Sequence, residues 1–287
     1  MITMKLIFVY GTAVLLWASA FPAIRASLGY YSPEHLAALR LLIASAALLL
    51  FALAARIPLP KRKDVPAIFL LGFCGFSVYH GALSIGEKTV EAGTASLLVS
   101  TTPLFSALLA ALFMKERLHP KNGIASFIAF LGIGIIMLGS GASFHLQLGA
   151  LIILVGAFGE SIYFVFQRRL LPIYGFLPLT IYAILTGTLF MLAFIPGLGQ
   201  MVLAAPSSVN WTVLYLGLFP TVIPYFCLAY ATVKVGASEA TSTLFLTPVV
   251  ALFLAWLWLG ETPALLSLAG GALTLAGVAV AITGKQR

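Results

Sequence analysis

The stretch "LFLTPVVALFLAWLWLGE", from Leu244 to Glu261, is apolar over most of its length, yet it contains Pro248 and ends on a carboxylate. Its length approaches the roughly 20 apolar residues that a helix needs to cross a bilayer. A proline inside a helix removes a backbone hydrogen bond and costs about 3 kcal/mol. The stretch therefore predicts a membrane helix with a kink at Pro248. Because the kink is costly, it is expected to serve the structure or the function.

The same design occurs a second time in the chain. The stretch "LLVSTTPLFSALLAALFMKE" begins at Leu97. A single offset of 145 residues relates the two stretches and several residues around them. The matched pairs are Thr102 with Thr247, Pro103 with Pro248, Glu116 with Glu261, Gly132 with Gly277, Gly139 with Gly284 and Val90 with Val235. The chain therefore contains an internal repeat.

The amino-acid composition places the chain in a membrane. Of the 287 residues, 61% are hydrophobic and 8% are charged, whereas a soluble domain carries roughly 25% charge. The net charge of +8 does not indicate a nucleic-acid partner, because the basic residues lie in short loops between apolar runs. The first apolar run, from Leu6, is expected to be a retained span, since it shows no small-residue cleavage site. Cys74 and Cys227 fall within apolar runs and are expected to be free thiols.

Hydropathy predicts ten membrane-spanning helices joined by short connections. The expected fold class is therefore an all-α integral membrane protein. The predicted spans are Leu6–Ile24, His35–Ala55, Val65–Ile85, Ala92–Met114, Gly123–Leu138, Gly149–Phe166, Leu177–Ile195, Trp211–Thr232, Ser238–Leu259 and Pro263–Ile282.

The distribution of Lys and Arg predicts how these spans are oriented. With the N-terminus inside, 13 of the 16 basic residues lie in cytoplasmic segments, whereas the outer loops contain only Arg25 and Lys88, and Arg40 lies within a span. Both termini are therefore expected on the cytoplasmic side of the membrane.

The repeat and the span count together predict two inverted halves. Residues 1–142 and 143–287 each contain five predicted spans. Five is an odd number, so the second half enters the membrane from the opposite side. The charges agree, since Glu116 lies among basic residues whereas Glu261 has no basic neighbour in the sequence. Inverted repeats are typical of secondary transporters, whose substrate site near the middle of the membrane opens alternately to either side.

These features resemble a known family. The inverted five-span repeat, the segments "TPLFSALLAALFMKERL" and "TPVVALFLAWLWLGE", and the glycine-rich last helix of each half are similar to the EamA branch of the drug/metabolite transporter superfamily. The first half has "KE" where many members have "GE". The resemblance covers nearly the whole chain and implies transport of small solutes, commonly export. Overall the sequence is also similar to YddG-type amino-acid exporters, which implies amino acids, including aromatic and hydrophobic ones, although no single motif separates that subgroup.

The two repeated prolines are candidate hinges or kinks at a substrate site. Pro103 leaves the carbonyl of Val99 without its helical donor, and Pro248 does the same in the second half. A free carbonyl at this depth needs water, a ligand or a neighbouring helix. A packing kink that nearby Ser or Thr side chains satisfy is an equal alternative. Glu116 and Glu261 are expected to tie down loops at helix ends.

Ionisable side chains within spans are costly and are candidates for function. The sixth span carries a polar face at spacings of i, i+4, i+7 and i+11: Gly156, Glu160, Tyr163 and Gln167. Such a face predicts a cavity wall, with a hydrogen-bonded seam between helices as the alternative. His80 is expected to bind substrate, carry protons or bond a neighbouring helix. Arg40 is expected either to pair with a substrate carboxylate or to satisfy helix-end carbonyls or reach outward.

Central aromatic side chains complete the predicted site. Trp17 and Tyr79 are expected to form pocket walls, as is Tyr225. The candidate substrate-binding residues are therefore Trp17, Arg40, Tyr79, His80, Glu160, Tyr163 and Gln167.

Motifs of enzyme chemistry are absent from the sequence. The chain has one aspartate, Asp64, which excludes a paired-aspartate site, and neither HExxH nor GxxxxGK[ST] occurs. Ser77 and His80 form a weak Ser/His coincidence on one helix. No cofactor, metal or nucleic-acid partner is expected.

The expected partners are a small-molecule substrate, an amino acid or related metabolite, and the lipid bilayer. Glycine stripes serve contacts within and between chains equally well, so the oligomeric state stays open. The alternatives are an exporter of drugs or other amphipathic metabolites and, less favoured, a membrane-embedded enzyme or a channel-like protein.

Overall fold

The chain folds as a bundle of apolar helices. In the computed structural model, the described residues are 4–114, 120–139, 144–235 and 246–283. All regular secondary structure in those ranges is helical, which confirms the all-α class. Many large leucine, phenylalanine and tryptophan side chains are exposed on the outside of the bundle. Lipid is the solvent that suits such a surface.

We label the long helices in chain order. Their bounds are α1 Met4–Ser27, α2 Pro33–Ala54, α3 Val65–Gly72 with its continuation Tyr79–Glu87, α4 in two parts Ala92–Val99 and Thr102–Met114, α5 Pro120–Gly139, α6 Phe144–Phe166, α7 Phe176–Met191, α8 in two parts Ser207–Leu218 and Ile223–Val235, α9 Leu246–Leu259 and α10 Leu265–Thr283. Short helical turns lie at Arg62–Asp64, Gln167–Arg169, Leu171–Tyr174, Leu192–Phe194 and Leu198–Ala204.

Seven stretches of the described residues are long and apolar enough to cross a membrane, and they are α1, α2, α3, α4, α6, α7 and α8. The apolar parts of α5, α9 and α10 are shorter, at 10–17 residues. Residues 236–245, where the ninth predicted span begins, lie outside the described residues. The count of ten spans therefore stays a prediction.

Where both can be compared, the observed helix ends lie close to the predicted span ends. The structure differs from the predicted spans in three respects. Helix α3 continues past Ile85 to Glu87, and the connection after α7 contains the helix Leu198–Ala204. Helices α4 and α8 are each interrupted, where continuous spans were predicted. Hydropathy measures the apolar length of a segment. It does not show which backbone carbonyls in that segment lack a helical hydrogen bond.

Helices α3 and α8 leave α-helical geometry at corresponding places. Helix α3 contains a π-helical stretch, Phe73–Val78, and α8 is interrupted between Leu218 and Ile223. The offset of 145 residues found in the sequence maps the first irregularity onto the second. In α8 the hydroxyl of Thr221 donates to the carbonyl of Leu216 at 2.7 Å. The backbone N–H of Thr221 donates to the same carbonyl at 3.2 Å, so a hydroxyl adds to the backbone bond where the helix is broken.

Helix α4 breaks just before Pro103. The hydroxyl of Ser100 donates to the Leu97 carbonyl at 2.5 Å, and that of Thr101 donates to the Leu98 carbonyl at 2.7 Å. Pro103 then lies in the first turn of the second part, where its missing N–H costs little. The feature predicted as a kink is therefore a helix break. Leu244, whose carbonyl Pro248 would leave free, and Glu116 lie outside the described residues.

Helices α5 and α10 pack antiparallel and approach closely at Gly132 and Gly270. The hydroxyl of Thr274 donates to the carbonyl of Ala129 at 3.4 Å, and these two residues are 145 positions apart. A Cβ atom on Gly132 would lie 2.6 Å from the carbonyl oxygen of Gly270. Small residues allow this close approach of two backbones.

Gly132→Ala should lower the thermal unfolding midpoint of the detergent-purified protein. The added methyl group would overlap the backbone of α10, and overpacking of this kind costs about 1–3 kcal/mol. Gly134 is the matched control, because a Cβ atom there meets nothing within 4 Å. Gly134→Ala should keep or raise the midpoint, since alanine favours a helix over glycine by about 1 kcal/mol. Equal midpoints for the two variants would contradict the close packing.

Candidate functional site

A cavity lies in the centre of the bundle, where the interrupted helices meet. It contains about 660 Å³ of empty space, including its mouth. Five of the predicted substrate-binding residues line it, together with both repeated prolines: Trp17, Arg40, Tyr79, His80, Glu160, Pro103 and Pro248. The remaining lining residues are Ala20, Phe21, Leu83, Ser96, Val99, Ser100, Thr102, Phe164, Pro220 and Thr247. The wall is therefore mostly apolar and aromatic, with a few hydroxyls and charged groups.

Glu160 on α6 places a buried carboxylate at the cavity, with 5% of the residue exposed. Its two oxygens accept hydrogen bonds from the hydroxyls of Thr102, at 3.1 Å, and Tyr225, at 3.3 Å. The hydroxyl of Ser161 donates to the Thr102 carbonyl at 2.9 Å and so holds that segment in place. In the described ranges no cationic side chain forms an ion pair with Glu160. The carboxylate is thus held by hydroxyls alone, an arrangement that suits a ligand cation.

The break in α4 explains how Thr102 reaches Glu160. Thr102 directly precedes Pro103 and begins the second part of the helix. Its hydroxyl points to Glu160, whereas the neighbouring hydroxyls of Ser100 and Thr101 bond carbonyls of their own helix. The proline therefore has a use, because the break it favours brings a hydroxyl donor to a buried carboxylate.

Arg40 on α2 places a buried guanidinium at the same cavity, with 2% of the residue exposed. Its Nη2 donates to the hydroxyl of Thr221 over a long 3.4 Å. Its Nε and Nη1 have no hydrogen-bond partner among the described residues. The guanidinium neither reaches outward nor bonds a helix-end carbonyl there. Its free donors suit a ligand carboxylate, which a planar guanidinium binds with two hydrogen bonds.

His80 also lines the cavity. Its ring forms no hydrogen bond to a serine or to a backbone carbonyl among the described residues. The residue is 2% exposed, and neither ring nitrogen has a hydrogen-bond partner in the described ranges. The hydroxyl of Ser77 donates to the carbonyl of Gly187 at 2.6 Å. The Ser/His coincidence of the sequence is therefore not a hydrogen-bonded pair.

The aromatic side chains that line the cavity are Trp17, Phe21, Tyr79 and Phe164, and further rings pack against them. Trp17 meets Tyr225 edge-on at 5.3 Å between ring centroids. Tyr79 lies 5.2 Å from the His80 ring, and Phe76 lies 4.8 Å from Tyr225. Tyr225 thus joins the aromatic wall to the Glu160 carboxylate.

Three residues predicted for the site, Tyr163, Gln167 and Tyr225, are not among those that line the cavity. Tyr163 is 1% exposed and packs on Phe76, with ring centroids 5.2 Å apart. Gln167 is buried in the helical turn that follows α6. The polar face predicted for the sixth span is thus divided, because the cavity reaches only the part of α6 around Glu160.

Sequence reasoning missed several of the lining residues. Ser96, Ser100 and Thr102 belong to the run of hydroxyl residues before Pro103. That run was a signal, because hydroxyls close to a proline in a membrane helix are the natural partners of the carbonyls it frees. Pro220 carried the corresponding signal for the interruption in α8.

A set of polar contacts joins several helix ends near the cavity, and we call it the outer clamp because the charge pattern predicts that this end faces outward. Arg25 at the end of α1 pairs through Nε with the Glu261 carboxylate at 3.2 Å. Its Nη1 donates to the carbonyls of Glu87, at 2.5 Å, and Lys88, at 2.8 Å. The second oxygen of Glu261 accepts from the backbone N–H of Ala92 at 2.8 Å. The prediction that Glu261 ties down a helix end is therefore confirmed.

The outer clamp lies one helical turn beyond the cavity wall. Four residues separate Phe21 from Arg25 on α1, and four separate Leu83 from Glu87 on α3. Four residues of helix rise about 6 Å. The clamp thus joins the ends of α1, α3 and α4 to the residues that follow α9, about one helical turn beyond the cavity-lining residues.

Glu91 lies beside the clamp, in the connection between α3 and α4. Burial raises its pKa, the nearby Glu261 carboxylate raises it further, and Arg25 opposes both effects.

Two stretches of the chain, residues 4–138 and 147–283, each match the model of the EamA-like transporter family. Together these stretches cover nearly all of the sequence, and each corresponds to one of the two predicted halves.

Named relatives match most of the chain. The Bacillus subtilis protein "Uncharacterized transporter YdfC" is 54% identical over 96% of this chain and 90% of its own. The "Probable terminal-alkyne amino-acid exporter" of Streptantibioticus cattleyicolor is 38% identical over 92% of this chain and 89% of its own. The Escherichia coli protein "Uncharacterized inner membrane transporter YedA" is 31% identical over 86% of this chain and 81% of its own.

A solved crystal structure has the same fold. It superposes with a TM-score of 0.66 and covers 99% of this chain and 97% of its own, at 22% sequence identity.

Glu261→Ala should lower the thermal unfolding midpoint more than Glu261→Gln does. Alanine leaves the buried Ala92 N–H without an acceptor, which costs about 1–3 kcal/mol. Glutamine keeps an acceptor oxygen and loses only the charge that faces the partly exposed Arg25, a term of at most about 1 kcal/mol. Thermal unfolding of both variants in detergent measures the difference. Equal midpoints would mean that the N–H contact contributes nothing to the clamp.

Proposed function

Because the chain belongs to the EamA-like transporter family, we propose that it exports small zwitterionic metabolites, most favourably amino acids that include aromatic and hydrophobic ones. The protein is a multi-pass membrane transporter. The cytoplasmic membrane of a bacterium is its proposed location, and alternating access its proposed mechanism.

The observation that carries this proposal is the charge pattern of the cavity. Among the described residues, an Arg40 guanidinium with unfilled donors and a Glu160 carboxylate without an ion pair share one mostly apolar cavity. Buried charges of this kind are costly unless something pairs with them. An amino acid supplies a carboxylate for Arg40 and an ammonium for Glu160 at the same time.

The aromatic wall suits an apolar side chain on the substrate. Trp17, Tyr79 and Phe21 line the cavity beside the two charges. Burying a large apolar side chain there contributes up to about 1.5–3 kcal/mol. One relative, at 38% identity, is named a probable amino-acid exporter, which supports the same substrate class.

Matched irregularities in the two halves support alternating access. The offset of 145 residues relates the π-helical stretch of α3 to the interruption of α8. It also relates Ala129 to Thr274, which meet in the antiparallel contact of α5 and α10. Equivalent helices that pack antiparallel are expected of inverted halves, which can exchange conformations. In this proposal the outer clamp closes the cavity on the side away from the cytoplasm.

A drug or another amphipathic metabolite is the alternative substrate. The mostly apolar wall favours it, but a neutral or cationic drug has no use for the Arg40 guanidinium. The two classes therefore differ in their need for Arg40.

Transport of L-phenylalanine, its amide and phenethylamine into proteoliposomes separates these classes. Arg40→Gln should lower transport of L-phenylalanine by about ten- to a hundredfold, the worth of a charged hydrogen bond, and spare phenethylamine, which has no carboxylate. Glu160→Gln should impair all three compounds, since each has an ammonium group. Glu34→Gln, in the first turn of α2, is the control for loss of a carboxylate outside the cavity. Normal transport by both Glu160→Gln and Thr102→Val would place the substrate site elsewhere.

Cysteine labelling in cells tests the proposed orientation. Lys61, Lys234 and Thr262 are exposed positions. In a cysteine-free background, cysteines at 61 and 234 should react only from the cytoplasm and a cysteine at 262 only from outside. Labelling of position 262 from the cytoplasm would contradict the ten-span topology and the inverted halves together.

A further inference from the structure

Four buried polar side chains extend from the cavity wall toward the outer clamp, and we call them the outer polar track. They are Arg40 on α2 and His80, Ser84 and Glu87 on α3. Each is at most 2% exposed. Both carboxylate oxygens of Glu87, the hydroxyl of Ser84, both ring nitrogens of His80 and two guanidinium nitrogens of Arg40 have no hydrogen-bond partner in the described part of the chain. Buried polar atoms are nearly always bonded. So many unfilled positions in one place indicate a site for water or a ligand.

The outer polar track runs along one helix face from the cavity to the clamp. His80, Ser84 and Glu87 follow one another at i, i+4 and i+7. They therefore span about 10 Å along α3. At the inner end Arg40 and His80 line the cavity. At the outer end the backbone carbonyl of Glu87 accepts a hydrogen bond from Arg25 in the clamp.

Arg40 and Glu87 are opposite charges that attract each other over a distance but form no ion pair among the described residues. Arg40 is the charged group with the largest electrostatic effect on Glu87, and Glu87 is the carboxylate that acts on Arg40. Yet no ion pair or hydrogen bond joins the two side chains among the described residues. Buried opposite charges that stay apart keep most of their desolvation cost. A molecule that carries both charges would offset that cost at each end by pairing with Arg40 and with Glu87.

We propose that Arg40 and Glu87 form an outer subsite for the zwitterionic head group of an amino acid, which the substrate occupies after it leaves the cavity. This subsite rests on the proposed function and extends it. The substrate carboxylate stays on Arg40 while its ammonium moves from Glu160 to Glu87. His80 and Ser84 offer hydrogen bonds between the two positions. Arg25 in the outer clamp donates to the backbone carbonyl of Glu87. A substrate bound to the Glu87 side chain would therefore act on a residue that the clamp holds.

The subsite predicts an effect of Glu87→Gln on one side of the membrane only. Glutamine has nearly the same shape but cannot pair with an ammonium. The half-saturating concentration of L-phenylalanine applied from outside should rise at least about tenfold, and that from the cytoplasmic side should stay within about threefold. Uptake by right-side-out and inside-out vesicles measures the two values. A purely structural role of Glu87 would change both values alike.

Two further variants serve as controls. Glu87→Asp keeps the charge and should recover most of the outer-side affinity. Glu91→Gln removes a carboxylate at the same end of the protein that lies outside the track, and it should leave both half-saturating concentrations within about threefold of the wild type. If Glu87→Gln does not fold, Ser84→Ala takes its place, with an expected outer-side rise of about threefold for one lost hydrogen bond.

Three outcomes would overturn the subsite: unchanged values in Glu87→Gln, equal changes on both sides, or the same effect in Glu91→Gln. An unchanged outer-side value in Ser84→Ala would do so where that variant replaces Glu87→Gln. Failure of the proposed function looks different, because wild-type vesicles would then take up none of the amino acids, whichever side is tested. A one-sided effect of Glu87→Gln on top of normal wild-type uptake supports both.

Discussion

A helix that breaks inside a bilayer has no water to receive its free carbonyls, and this constraint organises the centre of the protein. Helix α4 breaks before Pro103, α8 is interrupted around Pro220, and α3 loosens into a π-helical stretch. At the first two places serine or threonine hydroxyls bond the carbonyls. The breaks are tolerated because they lie inside the bundle and against a cavity, where side chains reach them and lipid does not.

Each interrupted helix also supplies a hydroxyl to a buried charge. Thr102, at the break in α4, donates to Glu160. Thr221, in the interruption of α8, accepts from Arg40. The irregular backbone therefore does two things at once, since it opens space for a cavity and orients the polar atoms that line it. Neither Arg40 nor Glu160 forms an ion pair among the described residues. A substrate with both charges would pair with them.

The scaffold repeats, but the charges at the cavity do not. At the offset of 145 residues, Glu160 corresponds to Leu15, Arg40 to Leu185 and His80 to Tyr225. The irregularities in α3 and α8, by contrast, recur at that offset. Helices α5 and α10 even meet through matched residues. The helix geometry thus repeats between the halves, whereas the charged side chains at the cavity do not, so a substrate would meet a single arrangement of charges.

The sequence alone determined the membrane class, the internal repeat, the family and most of the cavity's charged and aromatic residues. These follow from local properties, because a bilayer selects apolar segments of a given length and makes each charge within them exceptional. Only the tertiary structure decided which polar residues act together. It packed Tyr163 away from the cavity and buried Glu87, which hydropathy had left beyond the end of a span. It also paired Arg25 with Glu261 across 236 positions of the chain. Such partners are brought together by helix packing, and no local pattern in the sequence records which helices will meet.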